Sequence, residues 1–139
     1  MDEIEKLLPH RRPFLFVDRL EHVDEKEIIG YKVFREDEFF FPGHFPEYPV
    51  VPGVILVETM AQCGGAGVKA FGIMGAGTFF LATINRAKFK RQVRPGEEVK
   101  IVISNLRTTD MMLKQAGKAF VGDELAAEAE WLCIVGTEP

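Results

Sequence analysis

His44 and Glu58 lie 14 residues apart in the stretch "FPGHFPEYPVVPGVILVETMAQ" (41–62), and both could move protons. His44 sits between Gly43 and Phe45-Pro46, in a loop whose Pro42, Pro46, Pro49 and Pro52 leave the backbone few conformations. Such stiffness suits an imidazole that must be held in one place as a base. Glu58 is flanked by Leu56, Val57, Met60 and Ala61, with no cation in its own helix before Lys69. Desolvation without a local cation raises a carboxyl pKa, which favours a proton donor. Gln62, four residues on and on the same helix face, is placed to orient that carboxyl or a water beside it. Pro52-Gly53 opens the helix, and the free N–H groups of a first turn can bind a carbonyl oxygen that becomes negative during reaction. Taken singly, each residue has an ordinary structural reading. Together, an acid, a base and an oxyanion site can remove a proton next to a thioester carbonyl and expel a β-hydroxyl.

The elements that must position these groups can be read in order. "DEIEKLL" (2–8) reads as a short helix ended by Pro9. Residues 14–22 and 27–35 flank the polar turn "VDEK" and read as an antiparallel hairpin. A proline-rich loop (36–51) leads into "GVILVETMAQCGGAGVKA" (53–70), about 27 Å of helix if continuous. Runs at 78–93, 97–109, 111–121 and 124–135 are strand-like and separated by turn residues, so the second half is a β-meander. "ELAAEAE" has helical propensity, but Leu125, Ala127, Ala129 and Trp131 alternate with period 2, and strand is expected there. The long helix is apolar or small on nearly every side, so the sheet must wrap around it. The expected class is α+β, a curved antiparallel sheet around one long central helix, in a single domain over 1–139. Such a sheet leaves an edge that a second copy can pair with.

Composition narrows the function classes. With 17 basic and 21 acidic residues the chain is mildly acidic, which gives no electrostatic reason to propose nucleic acid as partner. Cys63 and Cys133 lie in apolar runs without metal-type spacing, and the three histidines form no metal cluster; His10 and His22 lack a setting like that of His44. The N-terminus begins acidic and lacks the apolar core of a signal peptide, and no stretch reads as a membrane span. A soluble cytoplasmic protein is expected.

The stretch "GHFPEYPVVPGVILVETMAQ" resembles the active-site signature of the hot-dog-fold (3R)-3-hydroxyacyl-[acyl-carrier-protein] dehydratases of bacterial type II fatty-acid synthesis. The resemblance continues through "LLPHRRPFLFVDR", "LATINRAKFKRQVRPGEEV" and "GKAFVGDELAAEAE", in order and over essentially the whole chain. It implies a homodimer that assembles further into a hexamer, a trimer of dimers, with acyl tunnels at the dimer interface. It also implies that His44 takes the C2 proton, that Glu58 from the other subunit protonates the departing C3 hydroxyl, and that the N–H groups of Gly53 and Val54 polarise the thioester carbonyl. Gln62 would support Glu58 or its water. No metal or cofactor is implied beyond the phosphopantetheine arm on which acyl carrier protein presents the substrate. An isomerising branch has Asp at the acid position, so Glu58 favours the plain dehydratase. Pro42 and Thr59 depart from the family pattern, and "KAFGIMGAGTFF" (69–80) falls where the family varies and gates its tunnels.

Arg86, Lys88 and Lys90 alternate along one expected strand, with Arg91 and Arg94 following, and such a stripe at a tunnel mouth would steer an acidic carrier protein. A solvated strand face is the plainer reading of the same residues. Phe39, Phe40, Phe41, Phe45, Phe79 and Phe80 could line an acyl tunnel or belong to the core, with Phe80 as candidate gate. Two other readings compete: a thioesterase of the same fold, which would release free thiol, and a non-catalytic acyl-binding module, in which the acid, base and oxyanion positions would be surplus.

Overall fold

The computed structural model describes residues 2–73 and 77–136. Its order is α1 (Glu3–Leu7), β1 (Arg19–Val23), β2 (Glu27–Val33), a 3-10 turn (Phe41–Gly43), α2 (Gly53–Phe71), β3 (Thr78–Phe89), β4 (Glu98–Thr108), β5 (Met112–Val121) and β6 (Glu124–Gly136). All strand pairs are antiparallel in one six-stranded sheet, ordered β1-β2-β4-β5-β6-β3. The run "ELAAEAE" is strand, paired with β5 on one side and β3 on the other. Cross-strand packing outweighs its helical propensity.

Helix α2 contacts every strand, and Leu56, Val57, Met60, Cys63 and Val68 are buried along it. Its centre, "GGAG" (64–67), is costly for an isolated helix. The sheet explains it. A Cβ on Gly64 would lie 2.1 Å from Oε1 of Gln115, and one on Gly67 would lie 2.5 Å from the Ile28 side chain. Loss of those side chains lets the helix sit directly on the strands. Beneath it Gln115 is fully buried: its Nε2 donates to the Gly64 carbonyl (3.2 Å) and to Oδ1 of Asn105 (2.8 Å), and its Oε1 accepts from Nε1 of Trp131 (3.2 Å).

Two strand ends depart from expectation by several residues. The first strand starts at Arg19, not Phe14, because Phe14 and Phe16 bond through their backbones to the Gln62 side chain of α2. The Phe14, Phe16, Phe34, Phe39, Phe40 and Phe41 rings meet at 4.7–6.4 Å in a continuous cluster. Phe39, Phe40 and Phe41 thus belong to this aromatic cluster. Strand β3 ends at Phe89, not residue 93, and the next two N–H groups, of Lys90 and Arg91, both turn to the Ala126 carbonyl. Strand β3 is also bulged twice, at Leu81/Thr83 and at Asn85/Lys88, where Arg86 takes φ 55°. Bulges increase local twist and help the sheet curl. Of the segment 69–80, residues 74–76 lie outside the described residues.

Replacing Gln115 with Leu keeps the volume but strands the buried Trp131 N–H. Gln115→Leu is expected to destabilise the protein by about 2–3 kcal/mol, seen as a lower urea midpoint at unchanged slope.

Candidate active site

The proline-rich loop positions His44 by backbone bonds at both ends. His44 N–H donates to the Phe41 carbonyl (3.1 Å), and its carbonyl accepts from Val50 N–H (3.0 Å). Val51 N–H in turn donates to the Val93 carbonyl (2.8 Å), fastening the loop to the chain after β3. Nδ1 of His44 lies 3.0 Å from the Val50 carbonyl, an atom that can only accept. In the neutral ring Nδ1 therefore carries the hydrogen, and Nε2 keeps its lone pair for use as a base. The ring stacks on Phe45 at 4.2 Å.

Two residues after this loop, α2 begins at Gly53, with Pro52 as a cap that supplies no side-chain bond. Pro52 O accepts from Ile55 and Leu56, and the Gly53 and Val54 N–H groups have no acceptor among the described residues. The Val54 side chain is exposed. Glycine at 53 admits a close neighbour, and that neighbour is the Phe89 ring, 2.9 Å from where a Cβ would be.

Glu58 follows at the second turn. Gln62 Nε2 donates to Oε2 of Glu58 (2.9 Å) and to the Phe14 carbonyl (3.1 Å), while its Oε1 accepts from Phe16 N–H (2.8 Å). The carboxyl borders a cavity of about 150 Å³ whose other walls include Ala61, Gly65, Phe79, Phe80, Leu81 and Cys133. Burial pushes the Glu58 pKa above the usual carboxylate value, against the opposite pull of the Gln62 hydrogen bond. Burial, and then the charge of Glu58, pushes the Cys133 thiol up to about 12, so it stays protonated. His44 is not among the residues of this cavity. Within one chain the base and the acid occupy separate surroundings.

Comparison with known proteins shows the family. A family model described as a FabA-like domain matches residues 8–130. The chain is 42% identical over 137 residues to the 3-hydroxyacyl-[acyl-carrier-protein] dehydratase FabZ of Desulforamulus reducens, covering 98% of this chain and 96% of that one. It is 41% identical to the FabZ of Pelotomaculum thermopropionicum, covering 97% of each. The chain belongs to the FabZ dehydratase family. Among solved structures, the dehydratase heterocomplex ApeI:P of Xenorhabdus doucetiae superposes with a TM-score of 0.85 at 14% identity, over 97% of this chain and 91% of that one. Mouse thioesterase superfamily member 2 superposes with a TM-score of 0.64 at 12% identity, over 85% and 81%. These likenesses establish the hot-dog fold.

Against this FabZ frame, the other sequence candidates fall in different places. Phe80 is half exposed and lines the Glu58 cavity together with Phe79. Arg86, Lys88 and Lys90 do not form a simple alternating stripe, because a bulge interrupts the strand at Arg86 and the strand ends before Lys90. Arg86 lies 3.7 Å from Glu130. On the sheet face away from α2, Arg86, Lys88 and Lys118 share a groove with three carboxylates, Glu27, Glu128 and Glu130, so its charge balances. Arg91 grips Glu97 with two bonds (3.0 and 2.8 Å) and reaches Glu124 at 3.4 Å. Arg94 donates to the Pro49 carbonyl (2.9 Å) and lies over the Tyr48 ring at 3.9 Å, which braces the His44 loop.

His10 corrects the sequence reading, which gave it no special setting. Its Nε2 lies 3.7 Å from Oε2 of Glu58, and it borders the same cavity. Burial first, then Lys69 and Arg11, pushes its pKa below the usual histidine value. The distance is that of an ion pair, yet burial biases each group toward its neutral form, Glu58 upward and His10 downward, which weakens any charge attraction between them. Only its place in "LLPHRRPFLFVDR", one of the family-like stretches, pointed to it.

Because the folded-state pKa of Glu58 is raised, the contribution of its proton to stability is present at low pH and is lost as pH rises through that value. Glu58→Gln carries no such penalty. The variant is expected to melt above wild type at about pH 8, with the gap closing toward about pH 4; a gap that widens on acidification would contradict the burial argument.

Proposed function

We infer that this protein catalyses the reversible dehydration of (3R)-3-hydroxyacyl-[acyl-carrier-protein] to trans-2-enoyl-[acyl-carrier-protein], the hydro-lyase step of fatty-acid elongation. The observation that carries the reading is a partly buried, Gln62-held Glu58 at an apolar cavity, in a chain of the FabZ family that also carries a lone-pair-bearing His44 on a braced loop. Nε2 of His44 removes a proton from C2, and the electrons left behind run into the thioester carbonyl. The free N–H groups of Gly53 and Val54 receive that developing oxyanion. Electrons return to form the C2–C3 double bond, the C3–O bond breaks, and Glu58 supplies the proton with which the hydroxyl departs as water. No electron leaves or enters the substrate, so the chemistry calls for no redox cofactor.

A thioesterase needs a water aimed at the carbonyl carbon, whereas an acid whose pKa burial raises serves a leaving hydroxyl. A binding module gains nothing from burying Glu58 at a cost to stability.

Completion of the site requires a second copy. Strand β3 is an edge strand that exposes Phe80, Leu81, Ile84 and Phe89, a long apolar edge that a partner strand would cover. In the dimer proposed, His44 of one subunit faces Glu58 of the other, and three dimers form a hexamer. The carrier protein docks near Lys88 and Lys90, its phosphopantetheine arm entering past Phe80, and the enzyme works in the cytoplasm. Arg86, Arg91 and Arg94 contribute to the local field while held by their intramolecular partners.

Purified protein given 3-hydroxyacyl thioesters on a carrier protein should form enoyl product, and His44→Ala and Glu58→Gln should each lower kcat by roughly 10³-fold while remaining folded. Unfolding the two dead variants together and refolding them as a mixture should restore about a quarter of wild-type activity, since half the dimers are hybrids with one intact site. No recovery would place both groups in one chain. Lys90→Glu should raise KM for the carrier-borne substrate about 3–10-fold and leave a short carrier-free thioester unaffected.

A further inference from the structure

Three observations around Glu58 bear on where its proton sits. Gln62 Nε2 donates to Oε2, and that amide has no freedom to turn over, because its Oε1 is committed to Phe16 N–H and its NH₂ to the Phe14 carbonyl. His10 approaches the same oxygen, with Nε2 at 3.7 Å from Oε2. The other ring nitrogen of His10, Nδ1, is buried and has no hydrogen-bond partner.

The last observation selects a tautomer. A buried N–H without an acceptor is rarer and costlier than a buried lone pair without a donor. The neutral ring therefore leaves Nδ1 bare and carries its hydrogen on Nε2, the atom turned to Glu58. Oε2 then accepts from Gln62 and faces the Nε2–H dipole of His10 at 3.7 Å, beyond hydrogen-bond distance, and an oxygen so surrounded is a poor place for a proton of its own. No donor or acceptor among the described residues reaches Oε1.

We propose that His10 is a positioning residue for the acid: its Nε2–H tautomer, beside the Gln62 amide, holds Oε2 as the acceptor oxygen and leaves the carboxyl proton on Oε1, from which it is given to substrate. The proposal rests on the dehydratase reading above and deepens it. In the step concerned, the Oε1–H bond breaks as the C3 hydroxyl oxygen takes the proton and the C3–O bond releases water. The negative charge left on the carboxylate is met at Oε2 by the Gln62 N–H at 2.9 Å and, at longer range, by the Nε2–H dipole of His10. A charged His10 would defeat this arrangement by holding Glu58 ionised before reaction. The groups that face the pair oppose such a charge: Lys69 from α2 and Arg11 from the loop after α1 both disfavour imidazolium. Beside Glu58, Cys133 of β6 stays a neutral thiol, and β3 offers only Phe79, Phe80 and Leu81.

The first test needs no turnover. In ¹⁵N-labelled protein at neutral pH, the imidazole signals of His10, identified by their loss in His10→Phe, should show the neutral Nε2–H tautomer. An Nδ1–H tautomer or an imidazolium overturns the proposal whatever the activity. The second test is kinetic. His10→Phe should lower kcat roughly tenfold, less than the 10²–10³ lost with a donor that touches a reacting oxyanion, with KM within about twofold. Loss of an N–H dipole turned toward the carboxylate also favours its protonated form, so the alkaline fall of kcat should move to higher pH. His10→Gln, whose amide nitrogen can occupy the place of Nε2, should restore both. A Gln variant that behaves like Phe, or a Phe variant that changes KM and melting temperature with an unmoved pH profile, assigns His10 a packing role and overturns the proposal. If wild type forms no enoyl product, the dehydratase reading falls, and the tautomer still decides the hydrogen-bond assignment alone.

Discussion

A buried amide has to satisfy every polar atom it carries, and Gln62, 2% exposed, does so with three residues, two in the N-terminal segment and one in its own helix. Its oxygen takes Phe16 N–H, and its nitrogen serves the Phe14 carbonyl and Glu58. The N-terminal segment is thereby laid along α2 in a single register. That register fixes where Phe14 and Phe16 enter the aromatic cluster, carries His10 over Glu58, and keeps residues 14–18 out of the sheet. Loss of this one side chain would release the segment, the acid and the histidine together.

The same region shows stability given up for chemistry. Burial of Glu58 without a cationic partner favours its neutral form at the cost of the folded state wherever the group ionises. Glycines 64, 65 and 67 weaken α2 as a helix, although two of them let it rest on Gln115 and Ile28. Gly65 differs: it borders the Glu58 cavity, and a Cβ there would lie 3.0 Å from the Phe79 ring. Its missing side chain leaves room where the substrate chain has to begin.

Much of this was legible in the sequence. Helix α2 was marked by Pro52-Gly53 at its start and by apolar residues on all sides, and the meander by period-2 alternation and turn residues, including the strand that propensity alone would have made helix. Gln62 was legible from its i+4 spacing to Glu58, though not its bonds to Phe14 and Phe16, which join residues nearly fifty positions apart. That same distance hid His10. The strand ends were misjudged where a local pattern met a tertiary partner: "FLFV" has strand composition but bonds to a helix side chain, and "KRQV" continues an alternation after its backbone has turned to Ala126. The alternating stripe expected of the basic run failed for a related reason. Sequence displays cations in a row and cannot display the carboxylates of β6 and of the loop before β4 that face them.

The exposed edge and the divided site are two aspects of one arrangement. A twelve-residue edge strand with exposed Phe80, Ile84 and Phe89 is a liability for a monomer, and nothing in β3 protects it with proline. The bulges twist this edge without hiding its apolar side chains. The base, meanwhile, lies on a loop whose far anchor is Val93, four residues beyond the end of that same strand, and Phe89 packs over the first turn of α2, where the free N–H groups lie. Covering β3 with a second copy therefore acts at once on the edge, on the loop that carries His44 and on the mouth of the Glu58 cavity, which β3 itself helps to form. Under the proposed dimer, association and catalysis draw on one strand, so a change that frays β3 should uncouple acid from base before it unfolds either chain.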